Sequence, residues 1–206
     1  MSTSRLFEQF EANPGDHRAF DTLVKHLVAE EDRTALDDVY ERLPDWVDNG
    51  AQSPLIRVLL QRARTAEDPG LADYLHFQNG RALWKEFDDA QKAEMSFRKI
   101  QGPAEDPGEL RDFYMGFYTA QKNWRRLEQF LTDPERNPDP DPIEAKRLLG
   151  NLAEEHGQPD RAITFWQALK RERPDDGEAE DALSRLYPTV GKWHAMVELL
   201  KERLNR

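Results

Sequence analysis

The chain has 206 residues, of which 33% are charged and 38% are hydrophobic, and its formal net charge is −11. A chain of this length buries roughly 70% of its unfolded surface on folding and needs no disulfide or metal to be stable. It contains no cysteine, which excludes disulfides, thiolate metal ligands and a cysteine nucleophile. Because phosphate binding requires a surplus of cations, the negative charge argues against nucleic acid and anionic membranes as the main partners.

Helical spacing of the apolar residues runs along the whole chain. Phe20, Leu23, Val24 and Leu27, for example, follow one another at helical intervals, and no stretch alternates apolar and polar residues for long enough to predict a strand. Many helix starts are marked by Asp, Pro and Gly, which supply a capping side chain and a proline for the first turn. The predicted helices are, in chain order, 3–12, 16–29, 33–47, 53–66, 70–86, 88–101, 107–121, 123–132, 141–156, 158–171, 177–189 and 191–205.

The helix-start signals recur at a nearly constant period. Asp68, Asp106, Asp141 and Asp175 stand 38, 35 and 34 residues apart. When the last two segments are superposed at an offset of 34 residues, apolar residues fall on apolar residues throughout both helices. A period in this range indicates a protein built from helical repeats.

The segment 143–176 carries the repeat pattern best. Its markers are two residues of the first helix, the small residue that opens the second, the large aromatic residue and the closing proline: Leu149, Gly150, Ala162, Trp166 and Pro174. In these residues the chain resembles the tetratricopeptide repeat family, whose unit is a helix–turn–helix with small residues at the helix crossing. The resemblance implies an all-α fold of about twelve helices, arranged as a right-handed superhelical solenoid of antiparallel helix pairs.

The repeat frame divides the chain into one solenoid with regular and irregular parts. Residues 1–15 are expected to form a capping half repeat and residues 16–52 a degenerate repeat, with Leu36 at its crossing position. The helix within 53–68 has no place in the period. The remaining repeats are expected at 69–106, 107–142, 143–176 and 177–206.

The resemblance also implies a binding surface, because the first helix of each repeat lines a concave groove in this family. Carried over position by position, the groove has both cationic and anionic side chains. The polar residues expected to bind a partner there are Arg18, Lys25, Gln78, Lys85, Asp112, Arg147, Asn151, Asp181 and Arg185.

Two of these residues resemble half of the clamp with which some family members hold a peptide carboxylate. Arg147 and Asn151 stand four residues apart on one helix face, but Ala182 stands where the clamp needs an asparagine. A charged or helical segment of another protein is therefore the preferred ligand. Charge reversal at Arg147 and Arg185 is expected to weaken an acidic ligand with little change in melting temperature.

Motifs for catalysis, metals and cofactors do not assemble in this sequence. The five histidines form no pair at helical spacing that would aim two imidazoles at one metal, and the glycines form no phosphate-binding loop. No serine stands in a nucleophile elbow. The sequence predicts a protein that is not an enzyme and that has no cofactor or metal.

Trp84, Trp124, Trp166 and Trp193 fall on positions that recur between repeats, and packing in the core is predicted for all four. Trp46 has no equivalent in the repeat, which leaves open an exposed position in contact with a partner. The proline-rich run 133–142 is predicted to be a stiff spacer, with a docking segment as the alternative.

These observations favour a non-catalytic scaffold or adaptor that binds a peptide or helical segment of another protein. Two alternatives stay open: a regulatory or assembly domain of a larger protein, and an all-helical enzyme with a site between helices. No obvious capping helix follows the last pair, so Met196, Leu200 or Leu204 is expected to present apolar surface for self-association or another domain. The lack of targeting signals suits a cytoplasmic protein, and the composition suits a bacterial one.

Overall fold

The computed structural model describes residues 2–134 and 141–205. Within these residues the chain has twelve α-helices, one short 3-10 turn and no strand, which confirms the predicted all-α class. The solenoid arrangement of helix pairs stays a prediction. The helices are α1 (Thr3–Glu11), α2 (His17–Ala29), α3 (Arg33–Trp46), α4 (Pro54–Thr65), α5 (Pro69–Lys85), α6 (Ala90–Phe97), α7 (Pro107–Ala120), α8 (Trp124–Thr132), α9 (Pro142–Glu155), α10 (Pro159–Glu172), α11 (Gly177–Thr189) and α12 (Trp193–Leu204).

Aspartate side chains begin several of these helices, in agreement with the helix-start signals of the sequence. Asp16, Asp68, Asp141 and Asp176 each accept hydrogen bonds from backbone N–H groups two or three residues further on, at 2.6 to 3.3 Å. Each cap satisfies a donor that the first turn leaves unpaired and contributes about 1 kcal/mol. Proline occupies the first turn of α4, α5, α9 and α10.

The chain forms two compact units, the first ending at Leu110 and the second beginning at Arg111. In the first unit α1 packs on α2, α2 on α3 and α4, α4 on α5, and α5 on α6. In the second unit α8 packs on α9, α9 on α10, α10 on α11, and α11 on α12. Most contacts therefore join helices that are neighbours in sequence.

Helix α4, which the repeat period leaves without a place, packs between α2 and α5. On one side, Arg62 Nε donates a hydrogen bond to Asp21 Oδ1 of α2 at 2.9 Å. On the other side, Asn79 Nδ2 of α5 donates to the Leu59 carbonyl at 3.3 Å. The helix is thus an integral layer of the first unit, and Leu59 is fully buried.

Glycine allows close helix crossings in both units. A Cβ atom added at Gly150 would lie 2.6 Å from the Trp166 ring, and one added at Gly80 would lie 2.6 Å from the Phe97 ring. The two alanines expected at helix crossings, Ala93 and Ala162, are fully buried. The same small-against-aromatic contact therefore joins α5 to α6 and α9 to α10.

Trp46 packs inside the first unit. Its ring meets the Phe10 ring edge-on at a centroid distance of 4.9 Å and lies 6.3 Å from the Phe20 ring. The Arg42 guanidinium lies 5.0 Å from the Trp46 centroid on the solvent side. Trp46 is half-buried as a result and helps to hold α1, α2 and α3 together.

The other tryptophans differ in burial. Core packing is confirmed for Trp124 and Trp166, while Trp84 is half-buried. The same prediction is wrong for Trp193, whose side chain is 62% exposed. Trp193 begins α12, and the only helix that packs extensively on α12 within the described residues is α11, which leaves the opposite face of α12 uncovered.

Most of the proline-rich run 133–142 lies outside the described residues, so the spacer prediction is not tested there. Asp141 and Pro142 are described, and they form the cap and first residue of α9. None of the helices in the described ranges is both long enough and apolar enough to cross a lipid bilayer.

Candidate functional site

A polar cleft opens between α3 and α5 in the first unit, with a volume of about 650 Å³. We call it the α3–α5 cleft. Its lining contains two phenols, one amide, one cation and four carboxylates, which makes it strongly polar and net acidic. The lining residues are Asp37, Tyr40, Glu41, Tyr74, Gln78, Arg81, Ala82, Glu86 and Glu105.

The helical spacing of these residues places their side chains on the faces of α3 and α5 that line the cleft. Asp37 and Glu41 stand one turn apart on α3, so both lie on the same face. Tyr74, Gln78 and Arg81 follow the same rule on α5. The opposite faces of both helices carry the apolar core, which fixes which face is left to form the cleft.

The Asp37 carboxylate organises the floor of the cleft. Tyr74 donates its hydroxyl hydrogen to Asp37 Oδ1 at 2.5 Å, and Gln78 Nε2 donates to the same oxygen at 3.1 Å. Burial, followed by the hydrogen bond to Asp37, raises the pKa of Tyr74 above its ordinary value. Tyr74 is therefore a neutral hydrogen-bond donor at physiological pH.

A second phenol is anchored behind the first. Tyr40 donates its hydroxyl hydrogen to Asn79 Oδ1 at 3.2 Å, and Asn79 in turn donates to the main chain of α4. Burial, with smaller contributions from Tyr74 and Asp37, raises the pKa of Tyr40 well above its ordinary value. The floor thus contains two hydrogen-bonded groups, one around Asp37 and one around Asn79.

The rim of the cleft is acidic. Glu41 and Glu86 take part in no ion pair within the described part of the chain. Glu105 lies 3.5 Å from Arg33, and Arg81 lies 3.4 Å from Glu109. The cations near the rim are therefore paired with other carboxylates, and Glu41 and Glu86 can attract a positively charged group of a ligand.

Of the nine residues predicted to bind a partner, only Gln78 lines this cleft. Arg18 and Lys25 are exposed on α2. Lys85 lies at the end of α5, where it forms an ion pair with Glu109 and its Nζ lies 5.3 Å from the centroid of the Trp84 ring. The structure does not bring these cations together with Gln78 around one ligand position.

In the second unit, Arg147 is engaged by carboxylates of its own chain. Its guanidinium contacts Asp176 at 2.8 Å and Glu178 at 2.7 Å, and it also pairs with Glu144. Although burial opposes the charged form, the hydrogen bond that Arg147 donates to Asp176 and the charges of the neighbouring carboxylates raise the pKa of Arg147. A ligand carboxylate would have to displace these groups, so Arg147 and exposed Asn151 do not form a ready clamp.

The other predicted residues of the second unit are also exposed or paired. Arg185 lies 3.2 Å from Glu154, and Asp181 lies 3.6 Å from Arg203. Asp112 is exposed near the start of α7. Arg185 and Asp181 thus form links between helices, and the sequence pattern did not distinguish such links from ligand contacts.

A larger and more open groove lies between α10, α11 and α12, with a volume of about 830 Å³. Lys170 lies at its base, 15% exposed, where it pairs with Glu202 and lies 3.7 Å from Glu180. Tyr187 accepts a hydrogen bond from Gln167 Nε2 at 3.0 Å on the same wall. The cations and anions of this groove largely compensate one another.

Sequence reasoning missed most of the α3–α5 cleft. The sequence pattern assigns no binding role to Asp37 or Tyr74. The available signal was the run of polar residues His76, Gln78 and Asn79 inside an otherwise apolar helix, since buried polar groups require partners.

No group of three or more His, Asp or Glu side chains in residues 2–134 and 141–205 is arranged to hold a metal ion. The chemistry that the α3–α5 cleft offers is therefore hydrogen bonding and charge. Comparison of the chain with models of known protein families and with curated proteins gives no match.

Proposed function

We propose that this chain is a non-catalytic protein-interaction module that binds a peptide or helical segment of a partner protein. The observation that carries the proposal is the α3–α5 cleft, in which a hydrogen-bonded floor lies below the unpaired carboxylates of Glu41 and Glu86. Such a cleft suits a lysine or arginine side chain of the bound segment, because the rim attracts the cation and the floor is already in place.

The architecture we propose is a tetratricopeptide-like helical repeat. Its support is the sequence period together with the recurrent close crossing, in which Gly80 meets Phe97 and Gly150 meets Trp166. Stacked helix pairs of this kind offer extended surfaces for peptide segments. The solenoid arrangement, the groove residues and the cytoplasmic location stay predictions.

Binding rather than catalysis is favoured by the groups in the α3–α5 cleft. Its lining contains no Ser, Thr, His or Lys that could act as a nucleophile or a base near neutral pH. The two phenols are held in the neutral form by burial, and Asp37 Oδ1 already accepts two hydrogen bonds.

The proposal is tested with two fluorescein-labelled peptides that are identical except for lysine or glutamine at the same positions. The lysine peptide is expected to bind the full chain more tightly in fluorescence anisotropy. The double substitution Glu41→Gln and Glu86→Gln should weaken it about fivefold or more, since each lost charge contact near a surface is worth up to about 1 kcal/mol.

The matched control is the pair Glu30→Gln and Glu67→Gln, which changes the net charge equally at exposed positions away from the cleft. This control should bind like the parent. If both double variants lose affinity equally, the lysine peptide is attracted by overall charge, and the cleft is not the binding site.

A regulatory or assembly domain of a larger protein is the second candidate. The observation that favours it is the uncovered apolar face of α12, because such a face suits contact with another folded element.

A further inference from the structure

Four large apolar side chains form one exposed stripe on α12. Trp193, Val197, Leu200 and Leu204 are 62%, 48%, 42% and 85% exposed. Their spacing of four, three and four residues places them on one helix face, as in the apolar seam of a coiled coil. We call this surface the α12 stripe. The predicted exposure is confirmed for Leu200 and Leu204, whereas Met196 is half-buried.

The α12 stripe is distinctive within the described residues. The only other large apolar side chain exposed there is Met95 of α6, which is 52% exposed. A scattered exposed apolar residue is normal, but four in a row on one helix mark a surface that another helix covers. The stripe runs for about three turns, which matches a partner helix of similar length.

The edges of the α12 stripe are cationic. In coiled-coil terms, the residues that flank such a seam are His194, Met196, Lys201 and Arg203. The two acids of this helix stand outside the flanking positions: Glu202 pairs with Lys170, while Glu198 lines the groove between α10, α11 and α12 and pairs with Lys201. No carboxylate of α12 therefore stands at a flanking position.

The flanking cations are available to a ligand. Lys201 pairs with Glu198 at 2.8 Å and Arg203 lies 3.6 Å from Asp181, but all four side chains are more than half exposed. Exposed ion pairs of this kind contribute little to stability, so they exchange readily for a better-placed acid.

A second copy of α12 offers no acidic residue at the positions that would face Lys201 and Arg203. If two α12 helices pair in antiparallel fashion about the centre of the stripe, Lys201 comes opposite His194 and Arg203 opposite Met196. The parallel arrangement likewise places no acid beside a base. The self-pair therefore covers the apolar residues without gaining any ion pair between flanking residues.

We propose that the α12 stripe docks an amphipathic helix of a partner protein that carries acidic residues on both sides of its apolar seam. Trp193 is the largest anchor and lies at the N-terminal end of the stripe, where an exposed tryptophan supplies a large apolar area. Acidic residues beside the seam of the partner helix form ion pairs with Lys201 and Arg203. These ion pairs determine which helices bind to the stripe. This site is separate from the α3–α5 cleft and does not depend on the function proposed for it.

The probes are two fluorescein-labelled synthetic helices that share leucine at the seam positions and differ only at the flanks, with glutamate in one and lysine in the other. Anisotropy titrations use the full chain near physiological salt, where a Debye length of about 8 Å limits the influence of the overall negative charge. The glutamate helix is expected to bind at least about tenfold more tightly, and its binding should shift to the blue the tryptophan emission of the chain, to which exposed Trp193 contributes.

Leu200→Glu should abolish this binding, whereas Met95→Glu, which places the same charge at the other exposed apolar residue, should leave it unchanged. The pair Lys201→Glu and Arg203→Glu should transfer the preference to the lysine helix. The Glu41→Gln and Glu86→Gln variant should bind the glutamate helix like the parent, which separates this test from that of the cleft. Thermal melts check that each variant is folded.

Three results would overturn the proposal. The first is equal binding, or no binding, of the two synthetic helices. The second is equal loss of binding in Leu200→Glu and Met95→Glu. The third is a dimer of the parent in sedimentation that Leu200→Glu dissociates, because the occupant of the stripe would then be a second copy of the chain.

Discussion

Gly150 and Trp166 illustrate how one residue controls a helix crossing. The Trp166 ring fills the space in which a side chain at position 150 would lie, and Trp166 Nε1 donates a hydrogen bond to Glu154 Oε1 at 2.8 Å on the same helix as the glycine. The ring is therefore held from two sides and has little freedom to move away.

We expect Gly150→Ala to lower the free energy of unfolding by about 1 to 3 kcal/mol through overpacking against Trp166. The matched control is Gly116→Ala, also inside a helix, where an added Cβ meets no atom within 4 Å. That change should raise the free energy of unfolding by about 0.5 to 1 kcal/mol by restricting the unfolded chain. Urea titrations measure both, and stabilisation by Gly150→Ala would contradict the close crossing.

His76 is the residue for which a pH dependence is expected. Its side chain is 6% exposed and its Nδ1 has no hydrogen-bond partner. Burial, then the charge of Lys99, lowers its pKa from the ordinary 6.5; Asp73 opposes this shift in part, and Arg64 adds a smaller contribution to it. The unfolded chain therefore binds a proton at a pH at which the folded chain does not.

It follows that the contribution of His76 to the free energy of unfolding is lost as the pH falls through 6.5 toward the lower pKa of the folded state. His76→Gln removes this titration and should flatten the decline in stability between about pH 7 and about pH 5.5. Urea titrations of both proteins across this range measure the difference. A parallel decline in the two would show that His76 is not its source.

At the scale of elements, the second unit depends on links between alternate helices. Arg147 of α9 holds Asp176, which also accepts the Ala179 amide and so caps α11. Burial raises the pKa of Asp176, but the Ala179 and Arg147 hydrogen bonds outweigh it and lower the pKa overall. One guanidinium thus joins the packing of α9 to the start of α11.

We therefore expect Arg147→Gln to lower the free energy of unfolding by about 1 to 2 kcal/mol, since charged hydrogen bonds to a capping carboxylate are lost. Arg185→Gln is the matched control, because Arg185 is 63% exposed and pairs with Glu154 alone, and it should change stability by less than about 0.5 kcal/mol. This expectation replaces the sequence prediction that changes at both arginines leave stability unaltered. Equal effects in thermal melts would contradict it.

At the scale of the whole molecule, the two proposed surfaces have opposite chemistry. The α3–α5 cleft follows the sign of the net charge of −11, whereas the edges of the α12 stripe oppose it. The total charge therefore describes the average surface and not the preference of each site. Under the two proposals, the chain would bind a basic segment at the cleft and an acidic helix at the stripe.

The sequence by itself determined the all-α class and nearly every helix, because helical periodicity, aspartate caps and first-turn prolines are local signals. It also identified Gly150, Ala162 and Trp166 as packed residues, since their spacing within one repeat sets which side chains meet across a crossing.

Only the tertiary structure decided which polar residues form hydrogen bonds and ion pairs with one another. Tyr74 of α5 and Asp37 of α3 are 37 residues apart, and no local pattern indicates that they share a hydrogen bond. Arg147 has the same appearance in sequence whether it faces a ligand or pairs with Asp176. Trp193 matches positions that recur between repeats, and yet its side chain is 62% exposed. Periodicity specifies the face of a helix, whereas packing specifies what that face meets.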